Sequence, residues 1–118
     1  QVFIVEQGID PADEWDDEDQ QAVHFVCFGT TAVPIGTCRL TEQGQIGRLA
    51  VLENYRHQGF GKMLINKAVS VAREMGISQV YLNAQVDAQV FYEKLGFKGD
   101  GKIFLEAGKM HTRMMRDI

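Results

Sequence analysis

Cysteine is scarce in this chain, which has only Cys27 and Cys38 among its 118 residues. Two cysteines are too few for a disulfide framework, so we expect free thiols and a cytoplasmic location. Long apolar runs are also missing: no stretch approaches the ~20 residues of a membrane span, and there is no signal-peptide pattern. The net charge of −4 lacks the basic excess of nucleic-acid-binding domains. The sequence therefore predicts one domain over residues 1–118, with neither nucleic acid nor membrane as its partner.

Three familiar kinds of site are absent as well. The phosphate loop G-x-x-x-x-G-K-[ST] fails because Lys62 is followed by Met63 and no glycine has the required spacing upstream. The dinucleotide pattern G-x-G-x-x-G fails because position 64 is Leu. No ligand pair among His24, Cys38 and His111 has chelating spacing, so we expect no metal.

Between Gln45 and Gly76 the sequence predicts a strand, a glycine-bearing turn and an amphipathic helix. A short apolar run between Gly44 and the polar pair Glu53-Asn54 predicts the strand. After Gly61, apolar residues recur at helical spacing: Leu64, Ala68, Val71, Ala72 and Met75. Gly76 then stands where a left-handed helix cap is needed.

The turn before this helix has the features of an anion site. The first backbone N–H groups of a helix have no partner within the helix, and the helix dipole places partial positive charge there. Gly59 and Gly61 leave no side chain between those groups and a phosphate. Arg56, His57 and Lys62 add positive or hydrogen-bonding character. An ordinary strand-to-helix turn remains the alternative at this point.

The remaining pattern predicts further strands and one more helix. Residues 22–28 and 35–40 predict a hairpin around the turn 29–34, with Cys27 roughly opposite Cys38 as packed thiols or a cross-strand disulfide. Gly44 turns the chain into the next strand, which gives an antiparallel meander. A strand at 79–83 returns parallel to the strand before the long helix. A short helix capped by Gly96 and a hairpin of 102–106 with 111–115 complete an α/β (α+β) fold with a mixed, mostly antiparallel sheet.

Two blocks of sequence together resemble the GNAT acyltransferase superfamily. The first is R-x-x-G-x-G at residues 56–61, which follows a strand and opens a helix. The second runs from Tyr81-Leu82-Asn83 to Phe91-Tyr92-Glu93-Lys94-Leu95-Gly96-Phe97. Their order and spacing are the family's, and the resemblance covers nearly the whole chain. It implies a parallel strand pair that splays apart to hold acyl-CoA.

The amino-terminal part is similar to the ElaA/YjcF-like branch. There a V-F-x-x-E-Q segment, here Val2 to Gln7, ends the first helix, which implies that the family's first strand is lacking and that the domain is amino-terminally incomplete. The next strand would then have an unpaired edge. The acidic run 10–19, with Trp15 as an anchor, is interpreted as a solvated loop or frayed helix, or as an acidic lip that attracts an amine.

The resemblance also implies which residues bind acetyl-CoA, the expected cosubstrate. Exposed backbone around Leu49, Ala50 and Val51 would pair with the pantetheine arm. The pyrophosphate would lie at the helix start, and Asn83 would contact the arm or cleft waters, although a turn-capping role for Asn83 remains open. The predicted cofactor-binding residues are Leu49, Ala50, Val51, Arg56, Gln58, Gly59, Phe60, Gly61, Lys62, Asn83 and Tyr92.

The implied reaction is direct attack of a neutral amine on the thioester. A backbone N–H at Ala50 or Val51 would face the oxyanion. Tyr92 matches the family tyrosine in F-Y-x-x-x-G-F and is the predicted general acid, with a core tyrosine as the alternative. Many relatives carry a Glu base where this chain has Gly47. The base candidates are Glu6, Asp16, His24, Glu106 and His111, of which His111 ranks first because histidine changes charge near neutral pH and because E-A-G-x-x-H resembles the ending of this branch.

Three functions remain open on the sequence. The first is an acetyl-CoA-dependent N-acetyltransferase that acts on a small-molecule or peptide amine, with a homodimer left open. The second is a non-catalytic acyl-CoA-binding sensor or subunit. The third is a small scaffold with an incidental glycine turn. Gly47 favours the sensor, whereas Tyr92 and the acidic segment favour the enzyme.

Overall fold

The computed structural model of the protein describes residues 3–7, 22–29 and 33–118. In these ranges the chain forms strands and two α-helices, joined in part by short 3-10 turns at Glu53–Tyr55 and Val86–Ala88. In chain order the elements are β1 (Phe3–Gln7), β2 (Ala22–Phe28), β3 (Pro34–Thr41), β4 (Ile46–Val51), α1 (Phe60–Glu74), β5 (Gln79–Gln85), α2 (Gln89–Lys94), β6 (Lys98–Glu106) and β7 (Lys109–Asp117). The acidic run 10–19, including Trp15 and Asp16, lies outside the described residues.

Strands β1 to β4 form one antiparallel sheet in chain order. The predicted meander of β2, β3 and β4 is confirmed, and Gly44 makes the turn into β4 with φ +97°. The segment Phe3–Gln7 is a strand paired with β2, so the prediction of a helix end there was wrong. Its apolar, β-branched residues suit a strand, and pairing covers the β2 edge that we expected to be open.

The register of the β2–β3 hairpin differs from the prediction. Cys27 lies opposite Gly36, and Cys38 lies opposite Phe25, so each cysteine lies two residues from the position opposite the other. The two cysteines therefore share a face of the sheet without being directly paired. Both are free thiols and both are buried, so the disulfide alternative was wrong.

The second sheet has the strand order β5-β7-β6. The final hairpin is confirmed, with Ala107 and Gly108 turning the chain at φ +51° and +76°. Its second strand, β7, inserts between β5 and β6 and pairs antiparallel with both. This order places the cross-strand pairs of β5 and β7, such as Gln85 with His111, on a common face.

The two sheets meet between β4 and β5. In the described residues the parallel pairing of these strands is limited to the bridge between Gln45 and Tyr81, next to the hydrogen bond from the Tyr81 amide to the Gly44 carbonyl at 3.0 Å. We call this bridge and hydrogen bond the seam, and beyond it the two strands diverge. The predicted splayed parallel pair is therefore confirmed, and its opening lies at the carboxyl ends of both strands.

Helix α1 packs across both sheets and supplies much of the core. Its buried residues lie with Val80, Leu82 and Ala84 of β5 and with Phe25 and Leu40 of the first sheet. We call this side of the sheets the helix face, and the other side the opposite face. Gly76 and Gly96 follow the two helices with φ +81° and +91°, as predicted. None of the described helices has both the length and the apolar character needed to cross a membrane.

Candidate functional site

The start of α1 is open toward the gap between the sheets. Gly59 is the residue that caps this helix, with φ +87°, and no side chain caps the end. The first helical hydrogen bond runs from the Met63 amide to the Gly59 carbonyl, so helix geometry leaves the amides of residues 60–62 without a carbonyl in the helix. A Cβ added at Gly59 would meet no heavy atom within 4 Å. The amino-terminal end of α1 therefore exposes backbone N–H groups to the gap between the sheets.

The residues just before the helix are held by local hydrogen bonds. Arg56 Nε donates to the Val51 carbonyl at 3.0 Å, which ties the turn to the end of β4. Gln58 Nε2 donates to the Asn54 carbonyl at 3.2 Å. His57 has φ +64°, a left-handed conformation that is uncommon outside glycine.

One cleft of about 690 Å³ joins this helix start to the gap between β4 and β5. The structure brings together ten of the sequence-predicted site residues along its wall: Leu49, Val51, Arg56, Gly59, Phe60, Gly61, Lys62, Asn83, Tyr92 and His111. Ala50 and Gln58 do not line it. Ala50 pairs with Thr37 on the opposite face, and the Gln58 side chain is directed to Asn54.

The cleft passes through the gap from one face of the sheets to the other. The helix start and Tyr92, which packs against the core beneath α1, belong to the helix face. Along β5, Leu82 and Ala84 point to that face, so the alternation of the strand directs Asn83 and Gln85 to the opposite face. His111 lies opposite Gln85 and shares its face.

Tyr92 is largely enclosed by apolar groups. Its ring makes edge contacts with Phe91 and Phe97 at centroid distances of 4.9 and 6.1 Å. Burial raises the pKa of the Tyr92 phenol to about 12, and the nearby Cys38 thiol adds to the rise. Because the neutral phenol is favoured, Tyr92 keeps its proton at neutral pH and can donate it.

His111 is oriented by its own strand. Its Nδ1 lies 2.9 Å from the Lys109 carbonyl oxygen. Since a carbonyl only accepts, Nδ1 carries the proton and the neutral ring keeps its lone pair on Nε2. Glu106 Oε2 lies 3.8 Å from Nε2, and Phe104 stacks on the ring at a centroid distance of 5.9 Å. A proton accepted at Nε2 would face a carboxylate.

Asn83 is fixed by a partner on β7. Arg113 Nε donates to Asn83 Oδ1 at 3.2 Å, and the same guanidinium lies 4.9 Å from the centroid of the Tyr81 ring. With its oxygen engaged, the amide of Asn83 has its NH₂ group available for the cleft.

Of the other base candidates, the two whose side chains the structure describes, His24 and Glu106, do not lie in the cleft wall. His24 is on β2, opposite Arg39. Asp16 and the side chain of Glu6 lie outside what the structure describes. A Cβ added at Gly47 would lie 3.9 Å from Arg39 Nη2, so a cation lies beside the position where the family resemblance implied a carboxylate base. Within the described ranges, no three His, Cys, Asp or Glu side chains are grouped to hold a metal.

The cleft also contains residues that sequence reasoning missed. The main ones are Arg48, Tyr55, Gln85, Phe91 and Lys109. The turn at Ala107-Gly108 and the alternation of β7 could have placed Lys109 beside His111, because residues two apart on a strand share a face. No comparable signal existed for Arg48, which lies at a bulge with φ +51°.

Comparison with known proteins agrees with this geometry. A sequence model of the acetyltransferase (GNAT) domain matches residues 3–118. The chain is 33% identical over 120 residues to the uncharacterized N-acetyltransferase YjcF of Bacillus subtilis (strain 168), an alignment that covers 99% of this chain and 86% of that protein.

Solved structures with a similar fold include ElaA of Escherichia coli, at a TM-score of 0.75 and 25% identity over 90% of this chain and 76% of ElaA. The PaiA N-acetyltransferase of Thermoplasma acidophilum, solved in complex with coenzyme A, has a TM-score of 0.70 at 21% identity over 83% of this chain and 62% of that one, a likeness of fold alone. The match over residues 3–118 shows that the chain belongs to the GNAT acetyltransferase family, as its two sequence blocks predicted, with YjcF and ElaA among its relatives.

Proposed function

We propose that the protein is an acetyl-CoA-dependent N-acetyltransferase that transfers an acetyl group to a primary amine within a ternary complex. The observation that carries the proposal is the single cleft that connects the bare helix start of α1 with both Tyr92 and His111. Such a connection suits a long cosubstrate whose phosphates bind at one place while its thioester reacts at another.

The residues present fit coenzyme A. The amides that follow Gly59 can donate hydrogen bonds to the pyrophosphate, with Arg56 and Lys62 as nearby cations. At Gly61 an added Cβ would lie 3.4 Å from Phe91 Cζ, so a larger residue would crowd the cleft wall. The edge of β4 around Leu49 to Val51, which faces the gap beyond the Gln45–Tyr81 bridge, would pair with the pantetheine arm.

The bound cosubstrate supplies an activated acetyl group as a thioester. As the amine nitrogen bonds to the acetyl carbon, the carbon–sulfur bond breaks, the amine loses a proton and the sulfur gains one. His111 Nε2 takes the proton from the amine, directly or through water, and the Tyr92 hydroxyl gives one to the sulfur. With its pKa raised to about 12, the Tyr92 phenol is protonated at neutral pH, which is the form that a general acid requires.

Removing the amine proton is the costly part of this scheme. A lysine-like amine with pKa ~10.4 must be neutral to attack, which costs about 4.6 kcal/mol at pH 7. His111, with Nδ1–H held by the Lys109 carbonyl, offers Nε2 as the acceptor, and Glu106 stabilises the imidazolium that results. In this role Glu106 is a positioning residue.

A panel of primary amines, followed by release of free thiol from acetyl-CoA, tests the proposal. At least one amine should give turnover above the hydrolysis rate. Gly47 favours the competing function, a domain that binds acyl-CoA without turnover. Acetyl-CoA binding with no thiol release across the whole panel would establish that sensor and refute the enzyme.

Two further expectations accompany the proposal. The free thiols Cys27 and Cys38 support action in the reducing cytoplasm. The homodimer stays a prediction, and sedimentation equilibrium of the purified protein decides between a monomer and a dimer.

A further inference from the structure

The charged side chains that the described part of the chain contributes to the cleft wall are all basic, although the chain is net acidic. Among the described residues the wall contains Arg48, Arg56, Lys62 and Lys109 with two histidines, and neither Asp nor Glu. A cleft that recognised its acceptor only by the positive charge of an ammonium group would need carboxylates there. The described wall has the reverse polarity.

These cations divide between the two faces of the sheets. Arg56, His57 and Lys62 surround the start of α1 on the helix face, where the pyrophosphate of coenzyme A is proposed to bind. Lys109 lies two residues before His111 on β7 and shares its direction, so it belongs to the opposite face. A phosphate at the helix start does not account for Lys109.

We propose that the acceptor is an amine that also carries an anionic group, a carboxylate or a phosphate, and that Lys109 binds this group. This inference rests on the proposed function and specifies its substrate class. Glu106 lies opposite Lys109 in the register but directs Oε2 to His111 Nε2 at 3.8 Å. The anion of the acceptor would lie against Lys109 while its amine lies within reach of His111.

The same charges set the selectivity. Positive side chains near an ammonium group disfavour its charged form. An acceptor without an anion would lose affinity in such a cleft, whereas an anionic group bound by Lys109 offsets the repulsion. The arrangement therefore selects acceptors by charge.

The test uses pairs of amines that differ in the anionic group: amino acids against their primary amides for carboxylate, and phosphoethanolamine against ethanolamine for phosphate. Thiol release is compared at equal concentrations of neutral amine. We expect kcat/KM at least about tenfold higher for the anionic member of one pair, the size of one good charge-assisted hydrogen bond. The pair that shows the preference identifies carboxylate or phosphate.

Lys109→Gln should bring that ratio toward one. Lys102→Gln is the matched control, because Lys102 lies on β6 of the same hairpin and does not line the cleft. Binding gives a second readout that needs no turnover: in protein saturated with CoA, the anionic amine should raise the melting temperature further, and Lys109→Gln should remove that increment.

Equal kcat/KM and equal stabilisation by both members of every pair would overturn the acceptor class while leaving acetyl-CoA binding intact. A ratio that Lys109→Gln and Lys102→Gln change alike would overturn the role of Lys109. Failure of acetyl-CoA itself to stabilise the protein would instead refute the proposed function, and this inference with it.

Discussion

The amide of Tyr81 donates a 3.0 Å hydrogen bond to the carbonyl of Gly44, and this bond closes the seam from which the two sheets diverge. A Cβ at Gly44 would lie 2.7 Å from the Gln79 carbonyl oxygen, and the residue has φ +97°. Only glycine allows β4 and β5 to approach this closely. The position of the cleft thus depends on a residue that is not part of its wall.

We therefore expect Gly44→Ala to reduce the free energy of unfolding by about 3 kcal/mol, from backbone strain and overpacking together. Gly108→Ala is the control: its φ is +76°, but an added Cβ meets nothing within 4 Å, so strain alone should cost about 1 kcal/mol. Urea unfolding of both variants measures the difference. Equal losses would show that the seam tolerates a side chain.

Acetyl-CoA should raise the melting temperature of the protein, and Gly59→Asp should abolish this shift because a carboxylate then faces the pyrophosphate. Gly76→Asp is the matched control at the other end of α1, with φ +81° against +87° and equally open space. Both variants have the same strain and the same added charge. If Gly59→Asp keeps the wild-type shift, the phosphate assignment is wrong.

Tyr92→Phe should keep acetyl-CoA binding and slow acetyl transfer by about 10²-fold or more, the usual contribution of a positioned general acid. Binding is measured by the thermal shift and transfer by thiol release. Tyr81→Phe provides the control, since Tyr81 packs under Arg113 and does not line the cleft. Equal rates for wild type and Tyr92→Phe would remove Tyr92 from catalysis.

His111→Gln should reduce kcat by about 10² to 10⁴-fold, because no group then accepts the proton from the amine. Glu106→Gln should reduce it less, since the carboxylate only stabilises the charged ring. His24→Gln, on β2 and outside the cleft wall, should behave as wild type. A loss of kcat in His24→Gln as large as in His111→Gln would contradict this assignment.

The protein should lose stability in alkali. Burial raises the pKa of Cys38 from 9.0 and of Tyr92 from 10.0, each to about 12. In both cases the folded state holds the proton more tightly than the unfolded state. This stability is therefore fully present below pH ~9 and is lost as the pH rises toward 12. Thermal unfolding between about pH 8 and 11 should show a shallower decline in Cys38→Ala and Tyr92→Phe than in wild type.

Local patterns were enough to predict the elements around the cleft. The glycine turn, the apolar face of α1 and the caps at Gly76 and Gly96 are encoded within a few residues, and each has the predicted conformation. The proximity of the helix start to Tyr92 could also be predicted. The family resemblance implied that the two sequence blocks form one acyl-CoA site.

Contacts that depend on strand register could not be predicted in this way. Cys27 lies opposite Gly36 and not opposite Cys38, and nothing in the hairpin sequence marks this register or the extra residue at Ile35. The insertion of β7 between β5 and β6 sets His111 opposite Gln85, which no local pattern contains. The sequence of Phe3–Gln7 suits a strand or a helix end by pattern alone. Pairing with the edge of β2 decides its conformation, and that pairing is not a local feature of the sequence.

The bulge in β4 has a consequence for insertions and deletions. Thr37 pairs with Ala50 and Arg39 with Gly47, so Arg48 and Leu49 together lie opposite Cys38. Removing Arg48 would leave Ala50 and Val51 pointing to the same sides as before, because the bulge adds one residue without changing the alternation of the strand that follows. Deletion of this one residue would therefore straighten β4 while preserving its hydrophobic packing. The bend of the strand beside the cleft can change in this way without a change in which side chains face the core.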